Sequence, residues 1–192
     1  MHNQDQELLI RLARLLYTKS YQEGDFTLSS GKKSSYYFDC KHTALHPEGS
    51  FLLARVFLQA ISKSGIPIQG VGGMTLGADP LVSSVTVLSH LENRPLPGFI
   101  VRKQAKSHGT QEYLEGMANF APGQKVCLLE DVITTGGSVL TACQRVQDAG
   151  LDIGLILCVL DREEGGAENI QAAGYRLESV YTPKELISAA KQ

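Results

Sequence analysis

From Pro47 onward the chain alternates brief apolar runs with amphipathic stretches long enough for helices, and this alternation constrains the fold more than any other feature. The runs at 68–71, 99–101, 126–129, 155–160 and 175–180 have the length and composition of buried strands. Residues 77–93, 138–149, 165–173 and 183–191 suit helices, and an earlier helix begins with Pro47 in its first turn and ends near Gly65. Strand, helix, strand in this order predicts an α/β fold whose mainly parallel, twisted sheet is covered on both faces. Ahead of it, Leu8, Leu9, Leu12, Ala13, Leu15 and Leu16 recur at helical spacing, and Phe26, Leu28, Tyr36, Tyr37 and Phe38 fall in short runs that suit strands. The expectation is one domain over 1–192, with a small α+β hood at about 1–46 on an α/β core at 47–192.

A chain of 192 residues is about one domain long and buries roughly 70% of its unfolded surface. Its formal net charge of −2 argues against wrapping a nucleic-acid backbone, so small-molecule partners are expected. Asp5, Glu7, Arg11 and Arg14 interrupt the N-terminal leucines, which excludes a signal peptide or a spanning helix there. Cys40, Cys127, Cys143 and Cys158 form no metal-ligand spacing and read as buried, reduced thiols, which fits the cytoplasm.

In such a sheet, ligands sit beyond the carboxyl ends of the strands. The run VCLLEDVITTGGSVLTA takes a buried strand into Glu130 and Asp131, then through Val132, Ile133, Thr134, Thr135, Gly136, Gly137 and Ser138 into a helix. The two glycines permit a tight turn with converging N–H groups, the hydroxyls add donors, and the helix N-terminus adds partial positive charge, which together suit a phosphate monoester. No lysine follows the glycines as a nucleoside-triphosphate loop requires. Carboxylates beside a phosphate site need donors, and vicinal hydroxyls supply them, so the run points to a ribose 5-phosphate. Strand alternation favours Asp131 on the sugar, with Glu130 turned aside but close enough to touch the ligand. The plainer reading is an ordinary strand and helix in which Ser138 caps and the acids are solvated.

After the run at 98–101 comes RKQAKSHGTQEYLEG, which places Arg102, Lys103, Lys106 and His108 within seven positions. Too polar to pack, this segment is expected to be loose when empty and to close its cations over a polyanion. By composition alone it is also a solvated loop balanced by Glu112 and Glu115.

The run 130–138 resembles the phosphoribosyl-diphosphate signature of the type I phosphoribosyltransferases. RKQAKSHG resembles the catalytic loop of the orotate phosphoribosyltransferases, as FTLSSGKKSSYYFDCK at 26–41 and DREEGG at 161–166 resemble two further segments of that family. GVGGMTLGADPL at 70–81 reads as a diphosphate loop, so the resemblance spans almost the whole chain. It implies transfer of 5-phosphoribosyl from 5-phosphoribosyl 1-diphosphate (PRPP) to orotate, giving orotidine 5′-phosphate and diphosphate in pyrimidine biosynthesis, with Mg2+ carried on PRPP rather than in a protein cage.

The resemblance also implies roles. Residues 130–138 would hold the ribose and 5-phosphate, Thr134 and Arg162 would contact orotate, and Arg102, Lys103, Lys106 and His108 would meet the diphosphate. Arg102, Lys106, His108 and Asp131 form the implied catalytic set, with His108 able to donate a hydrogen bond or proton to the leaving group. A homodimer whose sites are shared between subunits follows from the same source. Ser29 and Leu76 stand where many relatives carry lysine, and Lys32, Lys33 and Lys41 are the nearby candidates to compensate. A purine phosphoribosyltransferase would share the phosphate run but would have no reason to show RKQAKSHG and SGKKSSYYFDCK together. A PRPP-sensing regulator that binds nucleic acid would need a basic surface.

Overall fold

The computed structural model describes residues 2–27, 33–105 and 113–192. Helix α1 (His2–Lys19) buries Leu12, Ala13 and Leu16 completely, as the helical spacing predicts. Strands β1 (Tyr21–Thr27) and β2 (Lys33–Phe38) pair antiparallel as a separate two-stranded sheet, and Tyr17, Tyr21 and Tyr36 stack with successive centroids 5.2 Å apart. A short helix α2 (Lys41–Ala44) leads into α3 (Pro47–Ser64), which starts on its proline and stops at Gly65 in the left-handed region, φ 70°.

The rest alternates as expected. In chain order come β3 (Val71–Met74), α4 (Asp79–Leu91), β4 (Gly98–Val101), β5 (Leu114–Glu115), β6 (Lys125–Ile133), α5 (Gly137–Asp148), β7 (Asp152–Asp161), α6 (Gly166–Ala172), β8 (Leu177–Tyr181) and α7 (Pro183–Ala190). The sheet order is β5-β4-β3-β6-β7-β8, parallel except for β5, which runs against β4. This is the doubly covered, mostly parallel α/β architecture expected from the alternation in the sequence. Alternate β6 residues serve opposite faces: Cys127 and Leu129 join the cluster under α1, α3, α4 and α7, whereas Val126 and Leu128 join the one under α5 and α6.

Among the element boundaries that depart from the sequence expectation, two bear on the site. The strand expected at 68–71 lies at Val71–Met74, because Gly72 accepts the Phe99 ring where a Cβ would lie only 2.2 Å from it. The strand expected at 126–129 continues to Ile133, so both acids lie within β6. Burial of β6 between β3 and β7 carries these charges into the sheet against their low strand propensity. The C-terminal ends of β3, β6 and β7 then meet on one side.

Candidate active site

A cavity of about 740 Å3 opens at those strand ends, floored by 130–139, walled by Met74, Thr75, Leu76 and Gly77 on one side and by Arg162 on another, and rimmed by Tyr37, Lys41 and Lys103. Its floor is built by the β6–α5 turn. Gly136 takes the N-cap position of α5 at φ 80° and has no side chain to offer, and no side-chain cap bond is made. The first N–H groups of α5 therefore keep their donors for a ligand, and Ser138, exposed inside the helix, does not cap. Gly136 is also hemmed in, since a Cβ there would come within 3.1 Å of the Gly166 carbonyl oxygen. The Asn169 side chain donates to the Thr135 carbonyl at 3.1 Å, and the Arg162 N–H donates to the Ile133 carbonyl at 2.9 Å. Ile133 itself is buried against the α5–α6 cluster, so this position contributes backbone.

Glu130 is 8% exposed and folds back so that Oε1 accepts the Asp131 N–H at 3.2 Å, while Asp131 Oδ1 accepts the Val132 N–H at 2.9 Å. Burial pushes the Glu130 carboxyl well above the usual carboxylate range, the Asp131 hydrogen bond and charge push it further, and Lys103 draws it back slightly. Gly77 packs its backbone on Asp131, where a Cβ would lie 2.5 Å from Oδ1. The turn bearing Leu76 thus reaches the acid pair.

A raised carboxyl makes folding pH-dependent with a definite sign. Below the ordinary carboxylate range both states hold the proton. Above it the unfolded chain ionises first, so the native state loses about 1.4 kcal/mol per pH unit until the folded carboxyl also titrates. Glu130→Gln, which cannot ionise, is expected to melt near the wild-type temperature at about pH 4 and above it at about pH 8. A gap that fails to widen with pH, in parallel thermal melts, contradicts this assignment.

Arg162 leaves the end of β7 with its side chain 5% exposed. Its Nε donates to Glu164 Oε1 at 2.8 Å, Nη2 donates to Ser34 Oγ at 3.0 Å, and the guanidinium lies 4.3 Å from the Tyr36 ring centroid. Ser34 and Tyr36 share one face of β2, which strand alternation could have shown, but nothing local in the sequence pairs that face with Arg162. Lys41 ion-pairs with Asp39 at 2.7 Å. That bond, against burial, holds its ammonium above the usual value, with Asp131 adding to the effect. Lys33 instead donates to Thr27 at 3.0 Å.

The structure therefore brings Lys103, Glu130, Asp131, Val132, Ile133, Thr134, Thr135, Gly136, Gly137, Ser138 and Arg162 to one cavity. Arg102 is not among the lining residues; its guanidinium meets Glu115 at 2.9 Å. Lys106, His108, Ser29 and Lys32 lie outside the described residues. Cys40, Cys127, Cys143 and Cys158 are buried and unpaired, and burial pushes each thiol up, Cys143 to about 12.

No family model matches the chain. The orotate phosphoribosyltransferase of Nostoc sp. is 46% identical over 176 residues, covering 92% of this chain and 84% of the relative. The crystal structure of Mycobacterium tuberculosis H37Rv orotate phosphoribosyltransferase with Fe(III) dicitrate superposes with a TM-score of 0.79 at 40% identity, over 93% of this chain and 98% of that one. The same enzyme in complex with 5-phospho-alpha-D-ribosyl 1-diphosphate gives a TM-score of 0.75 at 36% identity, over 93% and 98%.

Proposed function

The chain belongs to the orotate phosphoribosyltransferase family, and from that membership we propose a role for each residue gathered at the cavity. The reaction transfers 5-phosphoribosyl from PRPP to orotate, giving orotidine 5′-phosphate and diphosphate in pyrimidine biosynthesis. One observation supports the assignment of roles: the uncapped start of α5, the Glu130–Asp131 pair and the buried Arg162 line a single cavity, and we assign them to the phosphate, the sugar and the base respectively.

Thr134, Thr135, Gly136, Gly137 and Ser138 hold the 5-phosphate on hydroxyl and backbone donors. Val132 and Ile133 carry the chain from the acids into that turn. Asp131 accepts from the ribose hydroxyls, and Glu130 braces it from behind. Arg162, held flat by Tyr36, Ser34 and Glu164, presents its planar fork to the orotate carboxylate beside Thr134. As the bond from C1 to the diphosphate oxygen breaks, positive charge builds on the sugar and negative charge on the leaving group, so catalysis rests on electrostatic stabilisation and positioning. Lys103, with Arg102, Lys106 and His108 by the family resemblance, neutralises the departing diphosphate. Mg2+ keeps several waters and prefers phosphate oxygens, so it would arrive on PRPP rather than in a protein cage, with the Glu130 and Asp131 carboxyls lining the same cavity. Bound to PRPP, Mg2+ supplies further neutralisation of the diphosphate.

We also propose a homodimer. Leu45, Leu76, Val87 and Leu91 are 72, 69, 62 and 68% exposed along an apolar groove formed by α2, α3 and α4. Leu76 and Lys41 line both this groove and the cavity, so a second copy seated there would stand at the cavity rim. Leu91→Glu is expected to weaken dimerisation by about 100-fold, because it would bury an unpaired charge in the interface. Sedimentation equilibrium checks it, and an unchanged dimer would move the interface elsewhere. The buried thiols favour a reducing cytoplasm, and among the described residues no helix is long and apolar enough to cross a membrane.

The function is tested by mixing the protein with orotate, PRPP and magnesium and following orotate absorbance, with adenine, hypoxanthine and uracil as controls. Orotate-dependent loss alone supports the reading. Consumption of a purine base in its place overturns it.

A further inference from the structure

Arg145 stands on α5 about two turns beyond the phosphate turn and does not line the cavity. Its Nη1 donates to the Arg102 carbonyl, its Nη2 donates to the Lys103 carbonyl at 3.4 Å, and its guanidinium carbon lies 4.0 Å from the centroid of the Tyr113 ring. These partners cluster where the chain leaves β4 and re-enters β5. There the Arg102 N–H donates to the Tyr113 carbonyl at 2.7 Å, and the Arg102 side chain reaches Glu115. A basic residue in the last turn of a helix is ordinarily explained by the helix dipole alone. That account covers the charge of Arg145 but leaves unexplained why its donors end on two consecutive carbonyls outside the helix. Only a planar fork grips both carbonyls while stacking on a ring, so lysine is not an equivalent.

Lys103 follows directly from this grip. Its side chain is exposed yet lines the cavity, and its charge is felt by the buried Glu130. Helix α5 therefore touches the ligand site twice: its N-terminus forms the phosphate turn, and Arg145 fixes the backbone from which Lys103 reaches in.

We propose that Arg145 is a positioning residue for the diphosphate end of the cavity, acting through the Arg102–Lys103 backbone to direct Lys103 at bound PRPP. This rests on the reading of PRPP as substrate. It makes the 5-phosphate end independent of Arg145, which a merely structural role for the side chain would not.

The test compares binding of PRPP with binding of ribose 5-phosphate, which lacks the diphosphate, by calorimetry on the full-length protein. Arg145→Gln is expected to weaken PRPP about tenfold and to leave ribose 5-phosphate within about twofold. Arg145→Lys is expected to recover only part of the loss. If Arg145 acts through Lys103, the double variant with Lys103→Ala loses no more than Lys103→Ala alone. Additive losses, unchanged PRPP binding, or equal weakening of both ligands overturn the proposal. Should Arg145→Gln fail to fold, Tyr113→Leu removes only the ring under the guanidinium and is expected to weaken PRPP selectively in the same sense. Unchanged or parallel binding by that variant overturns the proposal too. Failure of the functional reading looks different. A wild-type protein that binds PRPP but ignores orotate removes the base assignment and leaves the Arg145 comparison readable; one that binds no PRPP removes both.

Discussion

Arg162→Ala is expected to lower kcat/KM for orotate by about 100-fold or more while PRPP binding stays near wild type. The side chain is 5% exposed and its orientation is fixed three ways, by Glu164, by Ser34 and by the Tyr36 ring. A preorganised fork of this kind loses little freedom on meeting a carboxylate, so its removal costs close to the full charge-assisted interaction. Arg162→Lys keeps the charge without the fork and is expected to recover only a minor fraction of the activity. Steady-state kinetics with each substrate varied in turn separates the two ends of the cavity. If PRPP and orotate suffer equally, Arg162 holds the fold together and does not select the base.

The second large effect is expected at the sugar. Asp131→Asn keeps the shape of the side chain and an oxygen to accept the Val132 N–H, so the fold is expected to persist. Loss of the carboxylate, however, is expected to reduce kcat/KM for PRPP by about 100-fold, since charged acceptors hold hydroxyl donors roughly twice as strongly as neutral ones. It also removes a charge that pushes the Glu130 carboxyl upward. The variant should therefore lose less stability than wild type as the pH rises. A kinetic defect without the shallower pH dependence, measured by thermal melts, would separate Asp131 from Glu130 and contradict the pairing described above.

Much of this site is local in the chain and so was legible in it. The phosphate turn is a contiguous run, and the strand-to-helix order around it needs only the apolar periodicity at 126–129 and 138–149 to be placed. The family resemblance added the base and diphosphate ends. Relations that depend on distant segments meeting were not legible. Arg162 touches Ser34, and Arg145 touches Arg102, only because the tertiary fold brings the end of β7 to the hairpin and the end of α5 to the segment leaving β4. The position of β3 was missed because glycine is a poor strand former in isolation, and Gly72 is required by a neighbour, Phe99, that local patterning does not reveal. Strand β5, two residues long, is too short to carry any period.

The hairpin of β1 and β2 makes no ladder with the main sheet, yet it supplies Ser34 and Tyr36 to Arg162. The acids and the phosphate turn, by contrast, are welded into β6 and α5 between two apolar clusters. On the proposed roles, substitutions in this small separate sheet can retune how Arg162 is held, whereas any change to Arg162 itself, to Thr134 or to the acids must be accommodated by the interior of the protein. The architecture sets an adjustable support beside a strictly constrained interior, and directed-evolution libraries meant to retune base selection belong on that hairpin.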